Sequence, residues 1–218
     1  MRQSHQNLIV ETLTVGPFAE NCYLLIDDAS RKALLIDPGD EAPRIIAAVR
    51  ERDAEVIEIV NTHAHLDHVG AVAELKRVLG VNFRLHQSEV PVLDGLEISA
   101  QMFGLRPPEK PAVDGHVSHG EIIALGELSV ECRLTAGHSP GGCCYVLSEQ
   151  RVVIAGDTLF AGSIGRTDLP GGSHQRLLQS IADQLLSLED DFVVYCGHGP
   201  STTIGAERRS NPFLSGLS

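Results

Sequence analysis

Short runs of apolar residues alternate along this chain with segments whose apolar residues recur at helical spacing. Ile45, Ile46 and Val49, for example, lie on one face of a predicted helix. The pattern predicts strands at 8–15, 22–26, 33–37, 56–60, 121–125, 128–135, 143–148, 151–155 and 192–196. It predicts helices at 41–52, 69–79, 88–103 and 175–187, the last following Ser173 as N-cap. Two groups of strands interleaved with helices indicate a layered α/β fold.

The stretch 86–120 is the least regular part of the pattern. It contains four prolines, so we expect the helix at 88–103 to be followed by an exposed loop. The chain shows no internal repeat or low-complexity segment, and its 218 residues fit one domain spanning 1–218.

Composition and charge narrow the classes of function. The chain has 17 basic and 29 acidic residues and a net charge of -12, which argues against binding to nucleic acid or to an anionic membrane. The N-terminal residues contain no apolar stretch long enough for a signal peptide or a membrane span. The five cysteines form no CxxC motif, and most lie in apolar runs, so we expect reduced, buried thiols and a cytoplasmic protein.

Polar clusters follow most of the predicted strands. The strand at 56–60 leads into a cluster at 61–68 that contains His63, His65, Asp67 and His68. His63 and His65 alternate, so in extended backbone their rings share one side, and the two residues in the following turn can reach the same space. Strand ends in layered α/β folds are where ligands bind, so this cluster predicts a metal site.

Three more candidates come from other strand ends. His138 and His198 are flanked by glycines, which let backbone approach a ligand closely, and Asp157 follows an apolar strand. A buried carboxylate needs a partner, so Asp157 is expected to be paired or bound to metal. Together the clusters provide five histidines and two aspartates, which exceed one tetrahedral site but fit two metal ions that share a bridging carboxylate. Asp157 is our candidate for the bridge.

With these motifs the sequence resembles the metallo-β-lactamase superfamily, and within it the glyoxalase II (hydroxyacylglutathione hydrolase) branch, closest to the short bacterial type II glyoxalases. The motifs extend over nearly the whole chain. They are THAHLDH (62–68), GHSPGG (137–142), GDTLF (156–160), GRTDLPGG (165–172), GHGP (197–200), ENCYLL (20–25), IDPGD (36–40) and ERRSNPFL (207–214).

The resemblance implies a four-layer αββα sandwich with two divalent metal ions at one edge. Zinc is the metal that we expect first, and iron and manganese also suit these ligands. It implies that one metal is bound by His63, His65 and His138 and the other by Asp67, His68 and His198, with Asp157 bridging and Asp67 and Asp157 as catalytic carboxylates. The implied reaction is hydrolysis of a small-molecule thioester such as S-lactoylglutathione by a metal-bound hydroxide, with no nucleic-acid or membrane partner.

Substrate contacts are less evident from the sequence. Long glyoxalase II enzymes carry an extra C-terminal helical domain that helps to hold glutathione, and we expect this chain to lack it. Arg166 and Tyr145 are candidates for substrate binding. Arg166 can instead pair with Asp168, the interpretation that we favour, and an aromatic residue in a strand, such as Tyr145, is more often part of the core. Arg208 and Arg209 are either solvated helix charges or substitutes for the missing glutathione contacts.

Other polar residues near the motifs have less certain roles. Asp37 either accepts a hydrogen bond from a ligand histidine or closes an Asx turn in 37–39. Thr62 and Thr158 either bond to a ligand residue or are ordinary strand-end residues, and His174 is expected to begin a helix.

The nearest alternative function is a mononuclear iron persulfide dioxygenase acting on glutathione persulfide, with His63, His138 and Asp157 as the iron ligands. A β-lactamase is less favoured because many of these enzymes have Cys where Asp157 stands. The net charge of -12 disfavours a metallo-nuclease, and the complete ligand set disfavours a non-catalytic binding domain.

Overall fold

The computed structural model describes residues 1–216, which form two β-sheets flanked by helices. In chain order the strands are β1 (Arg2–His5), β2 (Leu8–Val15), β3 (Glu20–Asp27), β4 (Lys32–Ile36), β5 (Glu55–Val60), β6 (Asn82–His86), β7 (Gly115–Val117), β8 (Ile122–Leu125), β9 (Leu128–Leu134), β10 (Cys143–Leu147), β11 (Val152–Gly156), β12 (Leu159–Phe160), β13 (Ser163–Ile164), β14 (Val193–Cys196) and β15 (Thr202–Thr203). The helices are α1 (Ala42–Glu51), α2 (Leu66–Val69), α3 (Val72–Leu79), α4 (Val90–Asp94), α5 (Leu96–Met102), α6 (His174–Ser180) and α7 (Ile204–Ser210). A 3₁₀ turn (Gln87–Glu89) precedes α4, and a π-helical turn (Ile181–Leu185) continues α6.

The first sheet has seven strands in the order β1-β2-β3-β4-β5-β6-β7. Its strands are antiparallel from β1 to β4 and parallel from β4 to β7. The second sheet has six strands in the order β15-β14-β11-β10-β9-β8, and only β11 and β14 pair in parallel. Strands β12 and β13 form a separate hairpin.

Three apolar clusters define the layers. In the first, Ile45 of α1 and Leu75 of α3 pack with buried residues of the first sheet. The second lies between the sheets and contains Leu25 from one and Ile154 from the other. In the third, Leu177 of α6 packs on the outer face of the second sheet. The order is therefore helices, sheet, sheet, helices, which confirms the predicted αββα sandwich.

The differences from the predicted elements have local causes. The helix predicted at 69–79 begins at Val72, because the Ala71 amide donates to the Pro38 carbonyl instead of continuing a helix from α2. The helix predicted at 88–103 breaks at Gly95 into α4 and α5. Strands β1, β6, β7, β12, β13 and β15 were not predicted. Strand β6 has only two apolar residues, β7 is three residues long, and β12, β13 and β15 have two residues each.

No helix within residues 1–216 has both the length and the apolar character that crossing a membrane requires.

Candidate metal centre

The structure brings all seven predicted ligands together at one edge of the sandwich, where several strands end. Two histidines follow β5, two ligands lie in α2, and one each follows β9, β11 and β14. The side chains form two groups whose donor atoms lie within 4.8 Å of one another. We name them the His63 group (His63, His65 and His138) and the His68 group (Asp67, His68 and His198).

The His63 group brings imidazole nitrogens within contact distance. The Nε2 atom of His138 lies 2.9 Å from Nδ1 of His65 and 3.3 Å from Nε2 of His63. On the far side of each ring, Nδ1 of His138 donates to the Arg166 carbonyl at 2.8 Å, and Nδ1 of His63 lies 3.0 Å from the Thr62 hydroxyl.

These outer contacts fix the tautomers. The Thr62 hydroxyl donates its proton to Asp37, so its oxygen accepts the Nδ1 proton of His63. The Nδ1 proton of His138 is likewise committed to a carbonyl. Both rings, when neutral, therefore present unprotonated Nε2 atoms to each other across 3.3 Å, a contact that no hydrogen bond can stabilise. Two converging lone pairs fit a shared cation, so this group of residues fits a metal ion.

The His68 group is arranged in the same way. Nδ1 of His198 donates to the Phe18 carbonyl at 3.1 Å, and its Nε2 lies 3.2 Å from Oδ2 of Asp67. Nδ1 of His68 lies 3.0 Å from Oδ2 of Asp37. Nε2 of His68 is buried and has no hydrogen-bond partner within residues 1–216, a second sign that the donor set suits a cation.

Asp157 lies between the two groups. Its Oδ2 atom is 3.6 Å from Nε2 of His138 and 3.6 Å from Nε2 of His198, while Oδ1 is 3.4 Å from Nε2 of His68. A Cβ atom at Gly197 would lie 2.1 Å from Oδ1 of Asp157, so only glycine leaves room for this carboxylate. The position between the groups is the one that a bridging carboxylate needs.

The electrostatics of the two groups differ. Burial, reinforced by neighbouring imidazoles, holds the pKa of His63 well below its usual value and lowers that of His65 to about 3, so both rings are neutral and able to bind metal. Burial also acts to lower the pKa of His68, but Asp157, Asp67 and Asp37 outweigh it and raise that pKa well above the usual value. Carboxylates that hold a proton on His68 are also the groups that would favour a divalent cation there.

Asp37 bonds to His68 and to Thr62 and is not itself a candidate ligand in our assignment. Its carboxylate accepts from the Thr62 amide at 2.6 Å, from the Thr62 hydroxyl at 2.5 Å and from His68, so both oxygens are already used. Asp37, His63 and His68 are close enough to form a third candidate metal group, but these bonds make Asp37 an orienting residue. The first of the two roles predicted for Asp37 is thus the one observed.

Two buried glutamates near the site were missed by the sequence analysis. Glu89 accepts from the Ala64 amide at 2.8 Å, from the Ser139 hydroxyl at 2.5 Å and from the Gly141 amide at 2.6 Å, so one carboxylate ties together both loops that carry the His63 group. Glu20 lies with Oε1 3.7 Å from Nδ1 of His68, and neither carboxylate oxygen has a hydrogen-bond partner in the described part of the chain. Burial raises the pKa of both glutamates.

The residues predicted to contact substrate have different environments. Arg166 lines the cavity beside the ligands, and its guanidinium donates two hydrogen bonds of 2.7 Å to Asp168, the pairing that we favoured. The proposal that Tyr145 lines the pocket is wrong. Its side chain is fully buried between the sheets, where its hydroxyl donates to the Asn61 carbonyl at 2.8 Å.

The remaining predicted residues lie outside the cavity. Arg208 and Arg209 both pair with Asp190 and do not line the cavity, so they do not replace glutathione contacts there. Thr158 contacts the Thr135 hydroxyl at 2.9 Å, and His174 begins α6 as expected.

A cavity of about 450 Å³ opens over the two ligand groups. Five of the seven predicted ligands line it, namely His65, Asp67, His138, Asp157 and His198. The other lining residues are Phe18, Leu66, Ser99, Phe103, Phe160, Ser163, Ile164, Arg166 and Leu169. The ligand groups are thus accessible from the surface through a largely apolar entrance.

Comparison with known proteins agrees with this geometry. The family model described as "Metallo-beta-lactamase superfamily" matches residues 15–198. The chain belongs to the metallo-beta-lactamase superfamily. The resemblance that the motifs indicate is therefore confirmed.

Relatives within the metallo-beta-lactamase superfamily match the chain over nearly its whole length. Hydroxyacylglutathione hydrolase GloC of Haemophilus influenzae is 40% identical over 216 residues, covering 96% of this chain and 99% of that protein. The crystal structure of BLEG-1 B3 metallo-beta-lactamase is 36% identical with a TM-score of 0.89, covering 95% of this chain and 100% of that one. TTHA1623 in a di-iron-bound form is 39% identical with a TM-score of 0.86, covering 94% of this chain and 100% of that one.

Metallo-beta-lactamase superfamily membership and the two ligand groups together indicate a metal-binding hydrolase.

Proposed function

We propose that this protein hydrolyses a small-molecule thioester, such as S-lactoylglutathione, with two divalent metal ions. The observation that carries the proposal is the pair of ligand groups with Asp157 between them. The relative named hydroxyacylglutathione hydrolase, 40% identical over nearly the whole chain, supports the choice of substrate class.

The His63 group would hold one ion and the His68 group the other, with Asp157 bridging. We propose zinc as the bound metal, and the same histidine and carboxylate ligands also suit iron and manganese. Bound divalent ions lower the pKa of a coordinated water toward neutrality and polarise a carbonyl group. The ligand rings would be held in orientation by the residues that contact their Nδ1 atoms, namely Arg166, Thr62, Asp37 and Phe18.

The residues lining the cavity favour a thioester over an amide. The carboxylates of Asp67 and Asp157 reach the cavity and are the acceptors available for the proton that the attacking water loses. Among the described lining residues there is no lysine or tyrosine to protonate a leaving group. A thiolate leaves without such a donor, whereas an amine leaving group needs a proton.

The two alternatives make different demands on the site. A mononuclear iron persulfide dioxygenase would bind its iron through His63, His138 and Asp157. That arrangement would leave Asp67 and His198 without a metal-binding role, although these two side chains lie 3.2 Å apart within the His68 group. A β-lactamase must be assayed because one relative of known structure bears that name at 36% identity. We further propose a cytoplasmic location, consistent with five cysteines that are all buried and unpaired.

The test is a substrate panel on purified protein loaded with zinc, iron or manganese. We expect hydrolysis of S-lactoylglutathione that is abolished by chelation and restored by metal. A faster turnover of nitrocefin, or oxygen uptake with glutathione persulfide on a single iron, would replace the proposal with one of the alternatives. Thioester hydrolysis that persists after complete metal removal would refute the metal mechanism.

A further inference from the structure

The wall of the cavity over the metal ligands is mainly apolar. Phe18 and Phe103 meet edge to face at its mouth, with ring centroids 5.3 Å apart and an interplanar angle of 79°. Phe160 also lines the cavity, with its ring centroid 6.3 Å from that of His198. Phe18 and Phe103 are 36% and 49% exposed, so their rings present apolar surface that a ligand can cover.

Apart from the candidate metal ligands, the described lining of this cavity has no unpaired charge. Arg166 is the only cation in its described lining, and Asp168 neutralises it through two hydrogen bonds. Ser99 and Ser163 are the only hydroxyl side chains there. A charged thiol carrier such as glutathione would therefore lose its hydration along this apolar wall without gaining an ionic partner there, which is unfavourable.

A second cavity, of about 200 Å³, offers the carrier a better place. It shares Phe18, Leu66 and Asp67 with the first cavity, so the two are neighbours. Arg106 lines this side cavity together with the carboxylates of Asp40 and Asp67, and Arg106 has no hydrogen bond or ion pair with any described residue. The charged end of a carrier can thus face Arg106 while the reacting carbonyl reaches the ligands.

We propose that the apolar cavity binds the acyl chain, and that the protein prefers thioesters of unbranched apolar acids with several carbons over short hydroxylated ones such as lactoyl. This inference rests on the proposed thioesterase function and specifies its substrate. A cavity of about 450 Å³ is in the size range of sites for drug-sized ligands. A lactoyl group would fill little of it and would bring a hydroxyl against aromatic rings.

The expected selectivity follows from the burial of methylene groups. Each methylene that moves from water into the cavity should raise kcat/KM by roughly fourfold until the chain outgrows the cavity. The test compares acetyl, lactoyl, butyryl and hexanoyl thioesters of glutathione on the metal-loaded protein. We expect hexanoyl to exceed butyryl, and both to exceed lactoyl.

Phe103→Ala tests the location of the acyl chain. It should flatten the dependence of kcat/KM on chain length, with a larger loss for the hexanoyl thioester than for the acetyl thioester. Met102→Ala is the matched control, because Met102 is the adjacent residue, is 77% exposed and does not line the cavity. Phe103→Leu, which keeps an apolar side chain, should restore most of the dependence, and thermal unfolding should show that all three variants fold.

The outcomes separate this inference from the proposed function. A preference for lactoyl, an equal rate for all chain lengths, or an unchanged dependence in Phe103→Ala would overturn the inference while leaving thioester hydrolysis intact. Failure to hydrolyse any thioester of the series would instead refute the proposed function.

Discussion

Asp37→Asn should weaken metal binding at both ligand groups, although Asp37 is assigned no metal. The Asp37 carboxylate accepts from Nδ1 of His68 directly and supports His63 through the Thr62 hydroxyl. Asparagine has nearly the same shape, but one of its terminal atoms is an NH₂ group. That group would take the place either of Oδ2, where it faces the Thr62 hydroxyl and Nδ1 of His68, or of Oδ1, where it faces the Thr62 amide next to His63. In both orientations the negative charge beside His68 is lost, which weakens the attraction for a cation.

The expected size follows from the contacts. Orienting partners of metal-bound histidines typically contribute about 10- to 100-fold in metal affinity. This range corresponds to roughly 1.4–2.8 kcal/mol, consistent with the loss of a hydrogen bond to a charged group. Because Asp37 is fully buried, solvent cannot replace the lost partner.

The assay is competition with a chromophoric chelator, which resolves the affinities of two sites. Thr62→Val removes only the support of His63 and should weaken one site, whereas Asp37→Asn should weaken both. Asp40→Asn is the matched control, since Asp40 is exposed in the same loop and contacts no ligand. Wild-type affinity at both sites in Asp37→Asn would refute this account of how the ligands are oriented.

Three other predictions concern residues around the site. Glu89→Gln should leave one of the three donors to Glu89 unpaired, which lowers the free energy of unfolding by about 1–3 kcal/mol and Tm by roughly 2–12 °C. It should also weaken metal binding at the His63 group. Calorimetry with and without metal measures the change in Tm and the change in metal affinity. Metal affinity should rise with pH, by up to about tenfold per pH unit for each proton released, because the raised pKa of His68 keeps a proton on a ring that must lose it to bind metal. Calorimetry in buffers of different ionisation enthalpy counts the protons released on metal binding. A count of zero contradicts the prediction. Arg106→Gln should raise KM roughly two- to fivefold for a glutathione thioester but not for the N-acetylcysteamine thioester, which has no carboxylate; equal changes for both would exclude a contact with the carrier.

The long strands and the clustering of the seven candidate metal ligands were predictable from the sequence. Strand β2 occupies Leu8–Val15, the range predicted, because an apolar run of that length is a strong local signal. Four ligands fall within the six residues from His63 to His68, so their pattern is visible without the fold. By contrast, β7 has three residues and is defined by its pairing with β6. Such a strand depends on contacts between distant parts of the chain.

The supporting residues were harder to predict for the same reason. Glu89 bonds to residues 25 and 50 positions away, and no local pattern relates it to them. Tyr145 was a candidate for the cavity because every residue of β10 is buried. The strand therefore has no alternation of apolar and polar residues that would show which of its faces borders the cavity. For Asp37 the sequence left two roles open, and only the folded position of His68 distinguishes them.

The central claim is a two-metal centre bridged by Asp157, and metal stoichiometry measured together with thioester hydrolysis tests it most directly. We predict two metal ions per chain in the wild type. Asp157→Asn should lose at least one ion and most of the activity, while Asp168→Asn, which changes a nearby aspartate that lies outside both ligand groups, should keep both ions. A single ion in the fully active wild type, or two ions and full activity in Asp157→Asn, would contradict the account.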